Sequence, residues 1–290
     1  MREVIRLWPE GPPTTIDGVP SEVAEVATAG VAAGTTYLRN VSDPSLTVVE
    51  PAPDTRNGVG IVVAPGGGWT INMWEHEGLD VAAWLAGLGC TVFVLKYRLR
   101  ATPADPERFA AIQAAMDGLH DAPIRHRDKP TSIGDLGVSD SMRAARAACA
   151  DDGRRAVEIV RQEAGRLGVR PDAIGMIGFS AGAFLVVDVA LDPRSEQVAF
   201  VAPIYGGETG GRPVPEDAPP LFTAVAQDDV LVRIVEGLHA DWVAADRPAE
   251  LHQFGRGGHG FGVIRQGLPS DVWTELFVAW LGDLQLPTGS

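Results

Sequence analysis

The feature that most constrains this chain is a change of pattern at Ser180. An apolar run, Ile174-Gly-Met-Ile-Gly-Phe179, predicts a buried strand. It passes through Gly178-Phe179-Ser180-Ala181-Gly182 into a helical stretch from Ala181 to Leu191. A G-x-S-x-G sequence between a strand and a helix is the setting of a nucleophile elbow. The flanking glycines let strand and helix approach around a sharp turn, and the serine Oγ is presented at the strand's end. A Gly-rich turn with a merely structural serine is the competing reading.

The surrounding pattern fits an α/β architecture. Strands are predicted at Leu46 to Glu50, Val59 to Ala64, Thr91 to Tyr97, Val198 to Tyr205, Leu221 to Ala226 and Glu250 to Phe254. Helices are predicted at Leu79 to Leu88, Leu231 to Ala245 and Asp271 to Leu284. Short buried strands alternating with helices imply a mostly parallel central sheet with helices on both faces. In such sheets ligands sit beyond the carboxyl ends of the strands. Residues 1–45 are rich in Pro and Gly and read as an irregular N-terminal arm. Residues 101–150 break the alternation, with Pro103, Pro106, Pro123 and Pro130 around a short helix at Arg108 to Leu119. This stretch reads as a lid or cap insertion, or as a surface excursion without a role. A helical pattern from Ser141 to Leu167 carries a break signal at Asp151-Asp152-Gly153. One domain over residues 1–290 is expected.

A serine hydroxyl needs a base to become a nucleophile. Of six histidines, His259 is the candidate, because Gly257-Gly258-His259-Gly260-Phe261-Gly262 follows a late strand. His120 and His126 lie in the insertion, His239 in a helix, His252 inside a strand, and His76 between Glu75 and Glu77. The base needs an acid to orient it. Asp228-Asp229 follows the strand ending at Ala226, and Asp228 is the choice, with Asp229 the alternative. The chain order Ser180, Asp228, His259 is nucleophile, acid, base. The developing oxyanion needs fixed N–H donors. Gly66-Gly67-Gly68 after an early strand suggests Gly67 and Gly68, joined by Ala181. No phosphate-loop fingerprint is present there. Trp69, Trp74 and Phe184 are candidate walls of a substrate pocket, or else ordinary aromatic core.

No metal and no cofactor are expected. Glu75-His76-Glu77 reads as helix N-terminal carboxylates rather than ligands, since adjacent side chains converge poorly on one ion. The two cysteines, Cys90 and Cys149, form neither a disulfide framework nor a zinc motif. The net charge of −14 argues against nucleic acid and anionic membranes as partners, and favours a neutral small-molecule substrate. No apolar run approaches the length of a membrane span. The first residues lack an apolar leader core, so a cytoplasmic location is expected; a leader already removed would leave the same sequence. The oligomeric state is not readable.

Together these residues resemble the α/β-hydrolase superfamily, and more narrowly the bacterial acetyl esterase/lipase group with its acetylxylan-esterase-like and feruloyl-esterase-like members. The resemblance rests on Leu7-Trp8-Pro9, Pro65 to Trp69, Glu77-Gly78, Lys96 to Leu99, Asp152 to Ala156, Gly178 to Gly182, Asp228-Asp229 and Gly258 to Gly262. Pro65 stands where a related lipase type has histidine, which fits the acetylxylan-esterase-like branch. Ala183-Phe184 replaces a common Gly-His pair and would reshape the acyl pocket. The resemblance implies a serine carboxylesterase acting on short acyl esters, with acetylated sugars or xylan fragments in range. The alternatives are a prolyl-oligopeptidase-like peptidase, which uses the same triad, and a non-catalytic ligand receptor on the hydrolase fold.

Overall fold

The structure is a computed structural model that describes residues 2–121 and 124–286. Its centre is an eight-stranded sheet. In chain order the strands are β1 (Val4–Arg6), β4 (Ser45–Val49), β5 (Gly60–Ala64), β7 (Thr91–Lys96), β8 (Ile174–Phe179), β9 (Val201–Ile204), β10 (Leu221–Ala226) and β11 (Ala249–Phe254). Across the sheet the order is β1-β4-β7-β5-β8-β9-β10-β11. β1 and β4 pair antiparallel at one edge, and every pairing from β7 to β11 is parallel. This is the mostly parallel α/β sheet expected.

Strand alternation splits the core in two. Val62 and Ala64 of β5 and Met176 of β8 face one layer, with helices α3 (Asp140–Glu163) and α4 (Ala181–Ala190). Ile61, Val63 and Ile177 face the other, against α1 (Asp80–Gly87) and α6 (Trp273–Asp283). Helix α5 (Val232–Ala244) joins β10 to β11. Both faces of the central strands are buried, which explains their unbroken apolar runs.

Three expectations change. The N-terminal arm is not irregular throughout. Besides the edge strand β1, it supplies β2 (Val23–Val26) and β3 (Thr36–Arg39), which with β6 (Ile71–Asn72) make a small antiparallel sheet. These strands are only three or four residues long, too short to stand out between the prolines and glycines. Next, the break read at Asp151-Asp152-Gly153 is absent, because α3 runs through it. A Cβ on Gly153 would lie 2.5 Å from Leu185 Cδ2, so this glycine permits close packing of α3 on α4. Asp152 is fully buried and accepts from Trp8 Nε1 at 2.8 Å and from Arg98 N and Nε, each at 2.9 Å. Helix-breaking residue types are held here by packing and a buried ion pair. Finally, Val198 to Val201 is mostly outside the strand, which starts at Val201.

The insertion carries α2 (Pro106–Asp121) and two short 3₁₀ turns, His126–Asp128 and Ile133–Leu136. Cys90 and Cys149 are free thiols, both buried.

Candidate active site

The elbow forms as its glycines dictate. Ser180 has φ 49° and ψ −115°, a conformation that costs a non-glycine residue about 1–3 kcal/mol. A Cβ on Gly178 would meet Gly182 O at 2.2 Å, and one on Gly182 would meet Ala64 O at 1.9 Å. Neither position admits a side chain. Ser180 N donates to Ile204 O at 3.0 Å, which ties the strained residue to the neighbouring strand.

Ser180 Oγ donates to His259 Nε2 at 2.9 Å. His259 Nδ1 donates to Asp229 Oδ2 at 2.8 Å. The carboxylate that meets His259 is therefore that of Asp229, the alternative, and not that of Asp228, the choice from sequence. Asp229 is fully buried, and its Oδ1 accepts from Leu231 N at 2.7 Å. Asp228 points the other way along the turn and accepts from Gly257 N at 3.1 Å and Gly258 N at 2.8 Å. One of the adjacent carboxylates holds the imidazole, and the other holds the loop that carries it. Burial pulls the His259 pKa down, but the Asp229 charge and hydrogen bond, with Glu77 adding to them, outweigh this and raise it.

Gly67 and Gly68 lie in the left-handed region, at φ 123° and 60°, in a turn where Thr70 N and Ile71 N donate to Gly67 O. Among the described residues, none accepts a hydrogen bond from the amides of Gly67, Gly68 or Ala181, so all three are free to serve an oxyanion. The loop is pinned from below. Gly66 N donates to Glu77 Oε2 at 2.7 Å, and Tyr97 OH donates to Pro65 O at 2.6 Å. Glu77 Oε1 accepts from Tyr205 OH at 2.7 Å, and that hydroxyl accepts from Gly262 N at 3.2 Å. Buried Glu77 thus links the glycine loop to the histidine loop.

The Glu75-His76-Glu77 triplet diverges. Glu75 accepts from Thr36 N, and His76 Nε2 donates to Gly260 O at 2.7 Å. Glu75 and Glu77 both lie in the first turn of the π-helix Trp74–Leu79, as expected, and the Glu77 carboxylate also serves as an internal strut.

Trp69 and Phe184 meet edge to face at 5.6 Å, both buried, with the Arg146 guanidinium over them. Trp74 is half-buried and packs against both cores, and among the described residues it makes no ring contact with Trp69 or Phe184.

The insertion contributes residues that sequence reasoning passed over. His120 stacks on His259 with centroids 3.9 Å apart and planes 9° apart. A Cβ on Gly68 would lie 3.1 Å from Met116 Cε. Buried Lys129 donates to Gln227 O and Asp229 O, both at 2.7 Å. The available signal was faint: Phe109, Met116 and His120 share one helical face. His120, Asp229 and His259 offer ligand atoms within 4.8 Å of one another. Stacked imidazoles, however, direct their lone pairs along parallel planes, the His259 Nε2 lone pair already accepts from Ser180 Oγ, and Asp229 Oδ2 already accepts from His259 Nδ1, so the set is poorly shaped for an ion.

Comparisons with known proteins follow this geometry. The profile described as "Dienelactone hydrolase family" matches residues 47–272. An acetylxylan esterase of Xylanibacter ruminicola is 26% identical over 133 residues, which covers 46% of this chain and 19% of that protein. The chain thus matches about a fifth of the length of this curated relative. An acetyl ester-xyloside bifunctional hydrolase from Caldicellulosiruptor lactoaceticus superposes with TM-score 0.64 at 21% identity, over 98% of this chain and 97% of that one. A butyrate-bound esterase from Thermogutta terrifontis gives TM-score 0.57 at 19% identity, over 93% and 96%. At these identities the likeness shows the fold. Among the described residues, no helix is long and apolar enough to cross a membrane.

Proposed function

The chain belongs to the dienelactone hydrolase family, and from that premise we propose that it is a serine carboxylesterase acting on short-chain acyl esters, acetylated sugars and xylan fragments among them. The observation that carries this reading is the His259 imidazole, 2.9 Å from Ser180 Oγ on one side and 2.8 Å from a buried carboxylate on the other.

In this reading His259 Nε2 takes the Ser180 proton as Oγ attacks the ester carbonyl. The Asp229 carboxylate holds Nδ1 protonated and stabilises the imidazolium that forms. The Gly67, Gly68 and Ala181 amides receive the developing oxyanion; one such donor is worth ~3–4 kcal/mol of barrier. The imidazolium then protonates the leaving alcohol, and a water activated by His259 releases the acid from Ser180. A short acyl group is supported by the buried ring pair of Trp69, next to the glycine loop, and Phe184, on the elbow helix. Acetylated sugars are supported by the names of the acetylxylan esterase and the acetyl ester-xyloside hydrolase. Residues 1–290 form one domain in this proposal. Residues 101–150 are its lid, and Met116, His120 and Lys129 are the contacts that seat it.

The test is hydrolysis of nitrophenyl acetate, butyrate and octanoate by the wild type and by Ser180→Ala. The expected result is a preference for the acetate and a loss of at least ~10³-fold in the variant. A Ser180→Ala protein that retains its activity overturns the proposal.

A further inference from the structure

Helix α2 lays one face on the site. At its start Phe109 packs on Tyr37, with centroids 6.3 Å apart, and Gln113 Nε2 donates to Tyr37 OH at 3.1 Å. Its last turns bring Met116 over Gly68 and His120 onto His259. The small antiparallel sheet therefore fixes the helix at one end, and the other end reaches the reacting atoms. His120 Nδ1 is buried there and has no hydrogen-bond partner. An unmet buried polar atom is destabilising until a partner meets it. One that sits a ring's thickness from the general base is placed to be met by substrate.

We propose that His120 is a substrate-binding residue whose unpaired Nδ1 hydrogen-bonds a hydroxyl on the alcohol half of the ester, next to the oxygen that His259 protonates. The inference rests on the esterase reading above and names the leaving group that this site selects. The alcohol side follows from the stack. His259 Nε2 hands its proton to the leaving oxygen, so whatever lies against the His259 ring lies beside that oxygen. In this reading the acyl side takes the other wall, where Phe184 of the elbow helix meets Trp69 of the glycine loop. A hydroxyl follows from charge. His259 must itself become a cation during the reaction, and a second cation 3.9 Å away is disfavoured. Burial, with the His259 charge adding to it, pushes the His120 pKa down to about 2. A neutral imidazole offers one donor and one acceptor, which suits a hydroxyl and gives an anion no counter-charge.

The experiment compares two acetates of equal size, 2-hydroxyethyl acetate and propyl acetate, which differ by one hydroxyl on the alcohol. The full chain is assayed as wild type, His120→Phe and His120→Asn, and each protein's Tm is measured. The wild type is expected to prefer the hydroxyethyl ester. His120→Phe keeps a ring for the stack but removes the polar atoms. It should lower the ratio of the two kcat/KM values about tenfold, which is 1.4 kcal/mol. His120→Asn, which restores a donor and an acceptor, should bring the ratio back to within about threefold of wild type. A wild type without preference overturns the inference, as does a ratio unchanged in His120→Phe. A wild type that cleaves neither ester removes the esterase reading itself, which is a different outcome.

Discussion

Replacing each of the two adjacent aspartates by asparagine separates their roles. In Asp229→Asn the amide oxygen can still accept from Leu231 N, now 2.7 Å from Oδ1. The NH2 group then faces His259 Nδ1, 2.8 Å away in the wild type. Two donors cannot share that contact, so the imidazole must carry its hydrogen on Nε2. A protonated Nε2 cannot accept from Ser180 Oγ. Asp229 is fully buried, so no water can take over the carboxylate's place. The loss in kcat should be about 10⁴-fold, the size expected for a wrong tautomer, and it corresponds to about 5 kcal/mol of barrier. Asp228→Asn removes a charge that accepts from Gly257 N and Gly258 N, and an amide oxygen keeps at least one of these contacts. Its effect on kcat should stay within about tenfold, from a loosened histidine loop worth about 1 kcal/mol. The assay is kcat on nitrophenyl acetate, with Tm as the check that both variants fold. Equal losses in the two variants, or an Asp229→Asn protein within about tenfold of wild type, would refute the assignment.

Two further outcomes follow from the same structure. Because Asp229 holds the His259 pKa above its ordinary 6.5, the free base is lost as pH falls through that raised value. The acid limb of kcat/KM should therefore have its midpoint above ~6.5, and Asp229→Asn should move the midpoint of its residual activity down. A wild-type midpoint below ~6 contradicts the electrostatics. Asp152→Ala would strand Arg98, only 1% exposed, without its counter-charge. Losing one partner of a buried pair costs about 3–5 kcal/mol, so Tm should drop by roughly 5–15 °C while kcat of the folded protein changes little. A Tm within about 2 °C of wild type would show that the pair is not a strut.

Local signals carried the fold and the elbow that presents the proposed nucleophile, because the geometry there is local. The β8–Ser180–α4 elbow lies within one run of sequence; Gly178 is demanded by Gly182 O within that run, whereas Gly182 is demanded by Ala64 and Pro65 at the end of β5. His259 was legible for a similar reason, as a glycine-flanked loop after a strand. The choice between Asp228 and Asp229 was not, because both follow β10 directly. Their carboxylates part by the path of a two-residue turn, which composition does not encode. The turn is decided by contacts distant in sequence, chiefly the Gly257 and Gly258 amides and Lys129. His120 was missed on the same ground, since nothing near it in sequence marks a helix that will lie across His259.

The residues that carried the resemblance do two different jobs, and separating them explains what a sequence of this kind can reveal. In the proposed mechanism Ser180, His259 and the glycine loop face the chemistry. Trp8, Arg98 and Asp152 do not; they meet as one buried cluster that joins the N-terminal arm, the end of β7 and helix α3. Glu77 stands between the two groups. It touches no reacting atom, yet it accepts from Gly66 N and Tyr205 OH, and through Tyr205 it reaches Gly262 N. Moving that carboxylate would shift the oxyanion loop and the histidine loop together. A motif can therefore be tied to the triad while doing no chemistry, because the precision of three amides and an imidazole depends on what holds their loops. The insertion acts in the same way from above, with Met116 against Gly68, His120 against His259 and Lys129 on the Asp229 carbonyl. Buried struts below and a seated helix above fix the geometry between them. On the His120 proposal, substrate choice then belongs to the upper layer, the part that local sequence describes least.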